Sequence, residues 1–205
     1  MKRLLLIIAI VSLAVTPASA AFFQNGSFES GINPPGSGFT TLYGGSTAIT
    51  GWTVWGHSID WIGNYWQPAE GSTRSIDLNG NGRASIWQRF DTTPGMVYRV
   101  SFDMAGNPDG GDESKDLRVS AGNYTGLFNF NTNGTSLADM GWVTKEFFFT
   151  ASESQTTLIF ASRENGSYGP AIDNVDVSAV PLPPALILLF TGLMGLIGVR
   201  RTMRK

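Results

Sequence analysis

The chain has 205 residues, 25 glycines, no cysteine and a formal net charge of −2. That length suits one domain of about 150 residues with short flanking segments, and the lack of cysteine excludes disulfide cross-links and a thiol nucleophile. Lys2, Arg3, Arg200, Arg201, Arg204 and Lys205 stand at the two ends. Between Ala21 and Val180, eight basic residues meet all sixteen acidic ones, a net of −8. A domain so acidic repels phosphate, which excludes nucleic acid as a partner.

Residues 1–20 carry the three parts of a secretory signal. Lys2 and Arg3 form the basic start, Leu4 to Val15 the apolar centre, and Ala18-Ser19-Ala20 the small-residue site, so cleavage is expected between Ala20 and Ala21. Residues 21–178 follow as one domain. Its apolar runs are short, and no amphipathic helix of useful length is present. In the run Ile86 to Phe90, Ile86, Gln88 and Phe90 share one face and Trp87 points the other way. Tyr98, Val100, Phe102 and Met104 alternate with polar residues, as do Leu117, Val119 and Ala121. Val143 to Thr150, Thr156 to Ala161, and Val175 with Val177 complete the series. Such spacing predicts an all-β sandwich. Asn79-Gly80, Asn81-Gly82 and Asn133-Gly134 read as turns.

Residues 179–205 form a third segment. Pro181, Pro183 and Pro184 break any helix before an uncharged run from Ala185 to Val199, which ends in a basic cluster. As a helix that run is about 22 Å long, enough for a short transmembrane span with its basic end cytoplasmic. A plain C-terminal anchor fits these features. The pattern Val180-Pro181-Leu182-Pro183, the short span and the Arg200-Arg201 end also resemble the VPLPA-CTERM variant of PEP-CTERM sorting tails. That resemblance implies processing by an exosortase-type membrane peptidase in a Gram-negative bacterium.

A second resemblance covers the middle. It rests on Asn25-Gly26-Ser27-Phe28-Glu29, Thr50-Gly51-Trp52, Ser75 to Gly80, Ser101 to Pro108, Met140-Gly141-Trp142 and Ala171-Ile172-Asp173-Asn174-Val175. These resemble the choice-of-anchor C family of exported bacterial domains and, more widely, galactose-binding-like jelly rolls, which include many carbohydrate-binding modules. The resemblance implies a jelly-roll β-sandwich with neighbouring first and last strands, and a structural calcium beside them. Glu29 and Asp173 are the carboxylates expected to hold it. The alternative is that both only bond loop amides. Asp77 to Gly82 copies half an EF-hand loop but lacks the closing glutamate and flanking helices, and Asp109 to Glu113 reads as a solvated loop.

Trp52, Trp55, Trp61, Tyr65 and Trp66 crowd into 15 residues, and Trp87 follows. Sugars stack on flat aromatic faces, with polar side chains reaching their hydroxyls. Trp52 is assigned to the core. Trp61, Tyr65, Trp66 and Trp87 are the expected ligand platform, against the alternative that all these rings are core. His57 is the only histidine, and no nucleophile elbow or zinc-protease motif occurs. The expectation is an exported, non-catalytic surface or matrix protein that binds extracellular polysaccharide. A purely structural or adhesive module and a glycan hydrolase are the alternatives.

Overall fold

A computed structural model describes residues 22–181. The expected signal segment with its Ala20–Ala21 junction, and the tail from Leu182 through Arg200 and Arg201, lie outside the described residues.

Nine strands make up the described chain: β1 Phe39–Tyr43, β2 Thr53–Ile62, β3 Ser75–Asp91, β4 Val97–Gly106, β5 Ser114–Ala121, β6 Tyr124–Asn131, β7 Val143–Thr150, β8 Gln155–Ser162 and β9 Pro170–Ala179. Every strand pair is antiparallel. The hydrogen-bonded order is β6-β5-β8-β3-β9-β4-β7, with β1 on β2 and β2 on β3. The architecture follows from the length of β3, at 17 residues. Ile76 and Asp77 at its start pair with β9, whereas Ser85 to Asp91 pair with β8. It therefore passes from one leaf of a sandwich into the other. β8 returns between β3 and β5, and β9 between β3 and β4, so late strands insert among early ones in the jelly-roll manner.

The core lies between the leaves. Ile86, Gln88 and Phe90 of β3 point inward with Leu158 and Phe160 of β8 and Leu117 and Val119 of β5. Val100, Phe102 and Met104 of β4 meet them from the other leaf. The Phe102 ring stands edge-on to both Phe160 and Phe128, with centroids 5.1 Å apart in each case. Gln88 is polar yet 2 % exposed. Its amide accepts from Gln24 N at 2.8 Å and donates to Gln24 O at 2.9 Å, so the segment before β1 satisfies it as a paired strand would.

The alternating runs read from the sequence coincide with β4, β5, β7, β8 and β9. The Asn79-Gly80 and Asn81-Gly82 pairs do not form a hairpin. They lie inside β3, where Ser58 pairs with Gly82 but Asp60 with Asp77. This irregularity absorbs the extra residues at the place where β3 changes leaf. Ser58 Oγ accepts from Asn81 N, and Asp77 Oδ1 from Asn79 N, both at 2.8 Å, which replaces the lost ladder bonds.

The opening and closing motifs clasp each other. Val175 N donates to Gly26 O at 2.9 Å. A Cβ on Gly26 would lie 1.8 Å from Val175 O, so only glycine allows the approach. Asn25 staples the loop, donating to Ser30 O and Thr50 O and accepting from Ser30 N. Phe28 adopts a left-handed φ of 56°, a cost of about 1–2 kcal/mol that full burial of its ring offsets. Phe22 and Phe23 share a hollow with Phe90, Tyr98 and Val177, so the two ends of the described chain meet at one corner.

Candidate ligand-binding cleft

The outward face of the β2-β3-β8-β5 leaf carries an open cleft of about 510 Å³. Strand register builds it row by row. Trp55 faces Ser85, Ser85 faces Ala161 and Ala161 faces Arg118, so one row runs from an indole across a floor of small side chains to a guanidinium. Three strand spacings separate its ends, about 14 Å. In the next row Trp87 stands beside Ile159, and in the third Arg89 stands beside Thr157. Because residues 85, 87 and 89 alternate with the buried Ile86, Gln88 and Phe90, Trp87 and Arg89 are held outward by the packing of their neighbours. Trp55 is the most open ring of the group, at 71 % exposed. Trp55 and Trp87 are diagonal cross-strand neighbours, within reach of one bound molecule. Rings, small floor and free guanidiniums suit a flat polar ligand with an apolar face.

Two rings of the expected platform are elsewhere. Trp61 is fully buried and its Nε1 donates to Phe28 O at 3.0 Å. Trp66 is 3 % exposed and its Nε1 donates to Ser75 Oγ at 2.8 Å. Neither can stack on a ligand. The physical reason lies in β2. Trp55 and His57 face out, but the irregularity between Ser58 and Asp60 reverses the phase, so Ile59 and Trp61 face in. Gly56, with φ of 97°, sits where this strand distorts. Tyr65 is half-buried in a separate pocket of about 240 Å³, walled by Phe39, Asp60, Asp77, Asn107 and Tyr168. Its hydroxyl donates to Asp109, which the sequence had suggested was only a solvated loop residue. Trp87 lines the cleft, and Trp55, not included in the expected platform, completes it. The inward Val54 beside it was the available signal.

The acidic residues divide by environment. Burial pushes the Glu29 carboxyl up, but donors from Thr73, Ser72 and Arg74 outweigh it and hold it at about 2. Thr73 N, Thr73 Oγ1, Ser72 Oγ and Arg74 N all donate, and Arg74 Nη1 lies 2.6 Å from Oε2. Asp173 is fully buried. Burial drives its carboxyl up to about 8 against the bond from Asn174 N, with Glu29 and Asp103 adding repulsion. The Ser72 hydroxyl stands near both carboxyls and has one proton to give. Among the described residues, Asp173 Oδ2 has no hydrogen-bond partner. Among the described residues, no three histidine, aspartate or glutamate side chains converge as a metal cage.

Asp77, at the head of the EF-hand-like run, is 1 % exposed and bonded to Asn79 N, Gly169 N and Asn107 Nδ2 at 2.8–3.1 Å. Burial nevertheless pushes it up to about 7, and the Asp60 charge adds to this. Its ordinary value is 3.8, so between these two pH values the folded chain holds the proton that the unfolded chain has released. Stability attributable to Asp77 is thus lost as pH rises through this window and is level above it. Asp173 acts with the same sign, and Glu29 with the opposite sign below 4.5. Thermal unfolding followed across this range will show a shallower decline with rising pH in Asp77→Asn than in the parent chain. Parallel profiles would contradict the assignment.

Among known proteins, halomucin of Haloquadratum walsbyi (strain DSM 16790 / HBSQ001) is 34 % identical over 162 residues. The match covers 75 % of this chain and 2 % of that protein's length. Solved structures include CBM35 from Paenibacillus barcinonensis, at 18 % identity and a TM-score of 0.44, covering 69 % of this chain and 99 % of that one. Another is TmCBM61 in complex with β-1,4-galactotriose, at 18 % identity and 0.44, covering 79 % and 100 %. Residues 21–178 match the family described as "Protein of unknown function (DUF642)", and the chain belongs to that family.

Proposed function

We propose that this chain is an exported, non-catalytic protein whose sandwich binds carbohydrate in the Trp55–Trp87 cleft. One observation carries the reading: two outward indoles lie diagonal to each other over a floor of Ser85 and Ala161, on a sheet face left open. A pyranose ring needs such a flat apolar surface for its C–H face, and the rim supplies donors for its hydroxyls. Among the described residues no carboxylate lines the cleft, whereas glycoside hydrolysis uses a carboxyl pair. Retention of the full chain in polysaccharide-containing native gels tests the reading. Trp55→Ala and Trp87→Ala will each weaken retention roughly tenfold. Tyr65→Phe, in its separate pocket, will leave retention intact. Unaltered migration of both tryptophan variants would remove the cleft from consideration.

Delivery belongs to the same proposal. The basic-apolar-small start, the Val180-Pro181-Leu182-Pro183 motif and the Arg200-Arg201 end support export and exosortase sorting of a choice-of-anchor C type protein. Its destination would be the cell surface or matrix of a Gram-negative bacterium, after transient anchoring in the membrane. Intact-mass measurement of the protein from its native host will show a start at Ala21 and loss of the basic end. A full-length mass overturns this route.

A structural calcium is also proposed. The orphaned, buried Asp173 Oδ2 is the atom that fits a cation. Glu29 is saturated by its donors and by Arg74, so its contribution is a second negative charge nearby. Carbonyls and water would have to supply most of the six to eight oxygens that calcium takes. Such an ion would keep Asp173 ionised and tie the closing motif to the opening loop. Added calcium will raise the unfolding temperature of the parent chain and leave Asp173→Asn unmoved. No rise in the parent chain would reject the site.

A further inference from the structure

The fate of the basic side chains narrows the class of sugar. The described domain carries eight lysines and arginines, and four are engaged within the fold. Arg74 pairs with Glu29 and Arg99 with Glu146. Arg83 donates to Arg163 O, Glu164 O and Asn165 Oδ1. Lys115, fully buried, donates to Gly110 O and Tyr168 O. Of the other four, Lys145 and Arg163 lie away from the cleft, whereas Arg89 and Arg118 stand at it. Both are exposed, both line the tryptophan cleft, and neither makes a hydrogen bond or ion pair among the described residues. The acids two residues along the same strands are held elsewhere, Asp91 by Gln155 and Asp116 by Asn129, and neither lines the cleft.

Two exposed guanidiniums beside the exposed Trp55 and the half-buried Trp87, on a domain of net charge −8, form a local reversal of the protein's charge. We infer that the cleft selects an anionic polysaccharide, with pyranose rings on Trp55 and Trp87 and their carboxylate or sulfate groups on Arg89 and Arg118. This rests on the carbohydrate reading and names its ligand class. The placement suits such a chain. Arg89 lies two residues beyond Trp87, about 7 Å along β3, and Arg118 closes the row that Trp55 opens. A guanidinium with no internal partner presents its whole planar fork, which matches the oxygens of a carboxylate or sulfate in pairs. The small Ser85 and Ala161 leave the path between the indoles and the guanidiniums clear.

The test uses the full chain with three probes of different charge: a polyuronate, a sulfated dextran and a neutral galactan, each at low and raised ionic strength. The parent chain is expected to bind at least one anionic polymer about tenfold tighter than the neutral one at low salt, with the excess shrinking as salt screens it. The two anionic arms distinguish carboxylate from sulfate. Arg89→Gln with Arg118→Gln removes the excess and leaves neutral binding in place. Trp55→Ala with Trp87→Ala removes binding to all probes. Lys145→Gln, on β7 of the other leaf, changes nothing. Equal affinity for charged and neutral polymers sinks the selectivity while the carbohydrate reading stands. Anionic binding that ignores the tryptophan pair, or falls equally in Lys145→Gln, overturns the inference as mere charge attraction. No binding to any probe defeats both readings.

Discussion

Alternation along the second half of β3 is the constraint on which the rest depends. Ile86, Gln88 and Phe90 must face inward to close the core against Leu158, Phe160 and Leu117. With a period of two there is no freedom left for Ser85, Trp87 and Arg89, which must face out. One packing decision therefore sets the core, part of the floor of the cleft and one indole and one guanidinium of its lining. The pairing of Ser85 with both Trp55 and Ala161 then brings in the neighbouring strands in register.

The same rule explains what was legible in the sequence and what was not. Where alternation runs unbroken, as in β5, β7 and β8, reading the residues in twos finds both the strand and its buried face. Trp87 could be turned outward on that basis. Trp61 could not be placed, because the distortion between Ser58 and Asp60 inverts the phase of β2, and nothing in the local residues states by how much. The Asn-Gly pairs at 79–82 misled for a related reason. They permit a hairpin, but the long-range pairing of β3 with two different strands recruits them into a crossing between leaves. Trp66 was lost to the core because Ser75 Oγ, close in space, could satisfy its indole.

Buried polarity does here the work that disulfide cross-links do in other domains, for the chain has no cysteine. Glu29 gathers the 72–74 loop, Asp77 gathers Asn79, Asn107 and Gly169, and Lys115 ties Gly110 to Tyr168. Each of these groups bonds backbone or side chains outside the strand ladder, so loops at the ends of the sandwich are fixed from within. The penalty appears as perturbed titration at Asp77, Asp173 and Lys115, all of which burial drives toward the neutral form.

The corner at which Phe22 and Phe23 meet Val177 has a topological consequence. A module whose incoming and outgoing chain leave side by side occupies a longer polypeptide as a pendant, not as a spacer. Several could be strung along one thread without lengthening it much, each free to swivel. The number of such modules on one chain could then change through duplication alone, with no new contact to be invented.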